Sequence, residues 1–170
     1  MRLPLAKVAE KRKALPPGEP LHGFQLSPPA FKGRRMTMPS PLAATAYVAL
    51  GGGAGAVLRY QLGRVITLWL GPGAVTAFPW ATLAVNVIGS LAMGLLAGAL
   101  ARHGQGGEHW RLLLGVGLLG GFTTFSSFSL EMMLLVERGQ PALAATYAGV
   151  SVLGGLIALY LGLIAMRVAG

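Results

Sequence analysis

The sequence predicts an all-α membrane protein with four transmembrane helices, the third of them broken. Three observations carry that prediction. Hydrophobic residues make up 54% of the chain and charged residues only 11%, well short of the quarter or more of charge on an ordinary soluble surface. The charges are segregated, with Arg2, Lys7, Lys11, Arg12, Lys13, Lys32, Arg34 and Arg35 all crowded into the amino-terminal tail. The rest of the chain contains four long uncharged runs, Pro41–Leu58, Pro79–Ala101, Leu112–Leu130 and Ala142–Met166, joined by short loops. About 20 apolar residues cross a hydrocarbon core, so each run is a transmembrane helix.

Residues 1–40 are rich in Pro, Lys and Arg, show no helical apolar period and lack the apolar core of a secretory signal. They read as a disordered tail, or as a stretch upstream of the true start of translation. Residues 41–170 form one membrane domain. A net charge of +9 can point to nucleic acid, but here the excess sits in the tail and the remainder has no basic face. A bilayer surface is the better partner. Cysteine is absent and all five acids are Glu, which excludes disulfides and thiolate metal sites. His22, His103 and His109 fall in the tail or in a loop without metal-ligand spacing. With no soluble domain and no Asp, the chain does not read as an enzyme.

The first run carries Gly51-x-x-x-Gly55 and ends at Arg59, although the helix can continue toward Leu70 before Gly71-Pro72-Gly73 turns the chain. Gly94-x-x-x-Gly98 and Ala158-x-x-x-Gly162 repeat the small-residue spacing, which lets helix backbones approach closely. Arg59 reads either as a side chain snorkelling to the interface or as a buried cation at a pore mouth. In the second run Thr82, Asn86 and Ser90 follow i, i+4, i+8 and so share one face. They serve either as interhelical hydrogen-bond donors or as a polar track, and the Asn86 amide has two N–H groups suited to an anion. Tyr147, Ser151 and Gly155 repeat that spacing in the fourth run, unless Tyr147 is simply an interfacial aromatic.

The third run contains GGFTTFSSFS, residues 120–129. Glycine weakens the helix, and the four hydroxyls of Thr123, Thr124, Ser126 and Ser127 can bond the backbone instead. Irregular backbone at membrane depth survives only where protein buries it or a wet cavity receives it. A break is therefore expected over Gly120–Thr124, with freed carbonyls able to hold a cation. Phe125 and Phe128 restart the helix about one turn apart. A phenyl ring has a positive edge, so paired rings can favour an anion without trapping it. Two rival readings remain at this point. A small multidrug-resistance-like exporter needs a membrane carboxylate, for which Glu131 is the one candidate. A non-transporting assembly subunit explains the glycines but not polar stripes on three helices.

Four motifs in order, GGGAGAVLRY, FPWATLAVNVIGS, GLLGGFTTFSSFSLE and YAGVSVLGG, resemble those of the Fluc fluoride channels, also called CrcB proteins, over about residues 43–167. Ala81 stands where that family usually has Gly, Gly155 where it often has a hydroxyl, and the tail has no usual counterpart. The resemblance implies a dual-topology antiparallel homodimer in the plasma membrane (the bacterial inner membrane), with two pores that passively export cytoplasmic fluoride. It assigns Asn86, Phe125, Phe128, Tyr147 and Ser151 to the pore, beside Thr82 on the same stripe as Asn86, with Arg59 near an aqueous vestibule. It also implies a structural sodium ion at the dimer centre, held by the backbone carbonyls of Gly120 and Thr123. Dual topology needs balanced basic charge on the two sides. The tail upsets that balance, so a start at Met36 or Met38 is the expectation.

Overall fold

The computed structural model describes residues 39–103 and 107–169, and the expectations for the tail lie outside those residues. Four helical stretches there are long and apolar enough to cross a membrane: Pro41–Ala77, Trp80–Arg102, Glu108–Glu137 and Pro141–Val168. The first and third extend well beyond their uncharged runs, whereas the second begins at Trp80, one residue inside its run, and the fourth adds only Pro141 before and Arg167 and Val168 after.

The first helix, α1, spans Pro41–Ala77. Ser40 caps it by accepting the Ala43 N–H at 3.3 Å, and Pro41 occupies the first turn, where no intrahelical N–H partner is needed. At 1.5 Å per residue its 37 residues run about 55 Å, far beyond the roughly 30 Å of hydrocarbon. Counted from Pro41, Arg64 lies beyond that length and Arg59 close to its far end. The expected Gly71-Pro72-Gly73 loop is a bend: Gly71 adopts φ 80°, which glycine tolerates, and helix resumes as far as Ala77. Phe78 is extended, as a residue before proline prefers, and α2 begins at Trp80 and ends at His103.

The third span is assembled from pieces. α3 is only Glu108–Trp110; a wide π-helical stretch covers Arg111–Leu119; α4 is the single turn Gly120–Phe122; α5 runs Phe125–Glu137. Only Thr123 (ψ 157°) and Thr124 (φ −149°, ψ 115°) leave the helical region. The break therefore exists but is narrower than the expected Gly120–Thr124. The reason is that Gly121 serves close approach rather than unwinding: a Cβ there would strike the backbone of Gly52. Gly139 (φ 74°) ends α5 in a Schellman turn, its N–H on Val136 O at 2.9 Å and that of Gln140 on Leu135 O at 3.0 Å. α6 then spans Pro141–Val168.

Two tight pairs organise the bundle. α2 packs along α6, where Gly94 lies against the Leu159 carbonyl and Gly162 against that of Leu91. α1 packs on the first half of the third span, with Gly51 against Leu113 O and Gly55 against Leu118 O. α5 leans on α6 around a small cluster of Leu135, Ala144 and Tyr147, flanked by Phe78, Leu83 and Phe128. Large apolar side chains such as Leu42, Trp69 and Val168 are at least 80% exposed. In water that surface would drive aggregation; in a bilayer it meets lipid or another subunit.

Candidate functional site

The geometry converges on the two non-helical threonines. Asn86, from the middle of α2, clasps the Thr124 peptide in both directions: its Nδ2 donates to Thr124 O at 3.1 Å, and Thr124 N–H donates to its Oδ1 at 2.9 Å. Because one partner is an N–H and the other a carbonyl, the amide can sit only one way round. The Thr124 hydroxyl caps α5, accepting the Ser127 N–H at 3.2 Å and donating to Ser127 Oγ at 3.1 Å. Gly89 makes room for this, since a Cβ there would collide with the Thr123 methyl.

These bonds have a consequence for the carbonyls upstream. In an unbroken helix, Gly120 O would receive the N–H of Thr124 and Thr123 O that of Ser127. Both N–H groups are diverted, one to Asn86 and one to the Thr124 hydroxyl. Gly120 and Thr123, the pair the family resemblance implied, are thus among the carbonyls at the break left without their helical donors.

A cavity of about 330 Å³ opens beside the break, lined by Asn86, Ser90, Thr123, Phe125, Phe128 and Ser151 among others. The positive end of α5 faces this region, which favours negative charge. The rings of Phe125 and Phe128 lie 5.8 Å apart and tilted by 40°. Phe125 is 79% exposed in the single chain. Ser151 is buried, yet its Oγ has no hydrogen-bond partner. Asn86 keeps one N–H beyond the one given to Thr124.

A second cavity, of about 480 Å³, is lined by Arg59, Arg64, Thr82, Thr124, Ser127 and Glu131, with other residues of α1 and α2. The face shared by Thr82 and Asn86 is thus divided between two cavities, with Thr124 lining both. Glu131, to which the sequence gave a role only in the exporter reading, bridges two helices: Thr82 Oγ1 donates to its Oε1 at 2.7 Å and Tyr147 OH to its Oε2 at 2.8 Å. Tyr147 is fully buried rather than interfacial. Its ring sits 5.1 Å from that of Phe128 and 5.4 Å from that of Phe78. It supports the cavity from behind, by holding Phe128, and does not line it. The sequence signal for Glu131 was its position one turn after Ser127 and two after Thr124, on the face that restarts the helix.

The sequence matches the family described as CrcB-like protein, Camphor Resistance (CrcB), over residues 46–163. It is 63% identical over 126 residues to the fluoride-specific ion channel FluC of Novosphingobium aromaticivorans, an alignment that covers 74% of this chain and 98% of that one. It is 59% identical over 132 residues to the protein of the same name from Erythrobacter litoralis, covering 77% and 96%. The Sphingopyxis alaskensis protein so named is 55% identical over 120 residues, covering 71% and 92%. With the family match spanning well over half its length, and such relatives aligned along nearly all of theirs, the chain belongs to the CrcB family.

Proposed function

We propose that this chain is a fluoride-specific ion channel, a multi-pass membrane protein that lets cytoplasmic fluoride leave passively. The observation that carries the reading is the cavity at the break. It brings together Phe125 and Phe128, Asn86 with one N–H beyond its bond to Thr124, and the unpartnered hydroxyl of Ser151, and among the described residues no cationic side chain lines it. Fluoride is small and strongly hydrated, so neutral donors must replace its water. A fixed cation at the same place would hold it too tightly to let it leave. The relatives' name, fluoride-specific ion channel, agrees with that chemistry. An exporter driven by a free membrane carboxylate fits less well, because both oxygens of Glu131 accept hydroxyl bonds. Fluoride efflux from liposomes holding the purified protein tests the reading. Efflux no faster than from protein-free liposomes, or chloride leaving equally fast, would sink it.

Assembly belongs to the same proposal. The exposure of Phe125 and of much of each helix is what a protomer presents before a second copy covers it, and an antiparallel homodimer with two pores supplies that cover. The carbonyls of Gly120 and Thr123 fit a structural sodium ion by their chemistry, being hard oxygen donors lacking their helical N–H groups. Two from each subunit would give such an ion an oxygen cage at the dimer centre, where it would neutralise the crowded carbonyl dipoles. Exchange of sodium for the bulky N-methyl-D-glucamine cation is then expected to loosen the dimer; dimers equally stable in both salts would argue against the ion.

A further inference from the structure

We infer that Ser90 is a further anion-binding residue of this pore, forming with Ser151 a second hydroxyl station beyond Asn86; the inference rests on the channel reading above. Ser90 lies one helical turn after Asn86 on α2 and lines the same cavity as Phe125, Phe128 and Ser151. Among the described residues its hydroxyl makes no hydrogen bond, unlike Thr45, Thr67, Thr76, Ser129 and Thr146, each of which turns its hydroxyl back onto the carbonyl four residues earlier. That local bond is the default for a helical hydroxyl with nothing else to do in a membrane. Ser90 and the nine-tenths buried Ser151 both lack a partner inside one cavity.

The direction of Ser90 is fixed by its neighbour on α6. A Cβ built on Gly155 would stand 3.3 Å from Ser90 Oγ. The hydroxyl therefore reaches across to the turn of α6 that follows Ser151, into space that Gly155 leaves clear. The fourth-span stripe Tyr147, Ser151, Gly155 loses its polar group at its last position, and a hydroxyl from the second span stands at that height instead. Two neutral O–H donors at this level offer a small anion a place to rest after Asn86. Being uncharged, they hold it without a deep trap.

The test moves the hydroxyl from one helix to the other. Ser90→Ala is expected to slow fluoride efflux from liposomes by roughly tenfold, the scale of one lost hydrogen bond to an ion, with the dimer intact by size-exclusion chromatography. Ser90→Thr, which keeps the hydroxyl, should conduct within about threefold of the parent, since only a methyl is added. Adding Gly155→Ser to Ser90→Ala should restore most of the flux, because the serine at 155 enters the space vacated at 90. A purely structural role for Ser90 would not be rescued from the opposite helix. Ser90→Ala conducting like the parent, or a folded double variant as slow as the single one, overturns the inference. If Ser90→Ala fails to assemble, Ser90→Gly with and without Gly155→Ser gives the same comparison. A parent that conducts no fluoride at all would instead overturn the channel reading itself.

Discussion

Asn86 has one duty that the structure shows and a second that the channel reading proposes, so its variants should separate from those of the phenylalanines. One amide N–H and the amide oxygen hold the Thr124 peptide; only the second N–H is left for an anion. Asn86→Asp replaces the donor by a carboxylate oxygen facing the Thr124 carbonyl. We expect it both to abolish fluoride flux and to destabilise the protein by about 2 kcal/mol, the cost of an unsatisfied buried acceptor. Phe125→Ile should cut flux by roughly tenfold or more with little loss of stability, because the side chain is 79% exposed within the protomer and what it loses is the positive ring edge. Thermal unfolding beside liposome flux checks the pair; Phe125→Ile conducting normally would remove the ring from the pore. The sequence offered half of this. The i, i+4 stripes and the Phe pair were legible because spacing alone puts residues on a face. The Asn86–Thr124 clasp was not, because its partners stand 38 positions apart, and no local pattern reports a contact between spans. The bridge made by Glu131 escaped for the same reason: Thr82 lies 49 residues from it.

At the scale of the element, the third span shows two neighbouring glycines with different tasks. Gly121 faces α1 and has no room for a side chain. Gly120 faces outward, and a Cβ there meets nothing closer than Gly115 O at 3.8 Å. Gly121→Leu should therefore disrupt the protomer and lower expression of folded protein. Gly120→Leu should leave the protomer folded but lower dimer formation, if that face meets a second copy; a fully dimeric Gly120→Leu protein would place the interface elsewhere. A break in this helix was legible from Gly120-Gly121 and the run of hydroxyls. Its position was not, because glycine composition signals both unwinding and close approach, and only packing against Gly52 tells them apart. The turn after α5 carries a smaller test. Gly139→Ala forces a side chain into φ 74° and should cost about 1 kcal/mol, readable as a lower unfolding temperature without change in ion selectivity.

At the scale of the whole molecule, charge placement bears on how two copies could insert in opposite senses. Arg138 donates to Thr76 O at 2.9 Å, which puts it at the end of the bundle where α1 finishes, the end toward which Arg64 lies. Arg102, Arg111 and Arg167 lie toward the other end, at the α2–α3 turn and the close of α6. A domain so nearly balanced has weak topological bias, whereas eight basic residues on one terminus supply a strong one. A chain starting at Met38 should insert in both orientations and form active dimers. The full chain should favour its termini in the cytoplasm. A reporter fused to the carboxyl terminus, read on both sides of the membrane, checks this; equal orientation with and without the tail would show that tail charge is not decisive. Four spans and a charge-segregated tail were legible from composition. So was the continuation of α1 past Arg59 toward Leu70; its resumption beyond Gly71 as far as Ala77 was not, because Gly-Pro-Gly reads as a loop.

Thr124 is the party wall between two rooms. It lines both cavities, and both of its peptide groups are tied to Asn86. Anyone seeking to retune this protein for a different anion inherits that shared masonry. Changes at Thr124 or Asn86 remodel both chambers together, so libraries built there will mix effects on entry with effects on passage. The outer walls are separable: Arg59 and Thr82 face one room alone, Ser90 and Ser151 the other, and directed evolution finds independent handles at positions such as these.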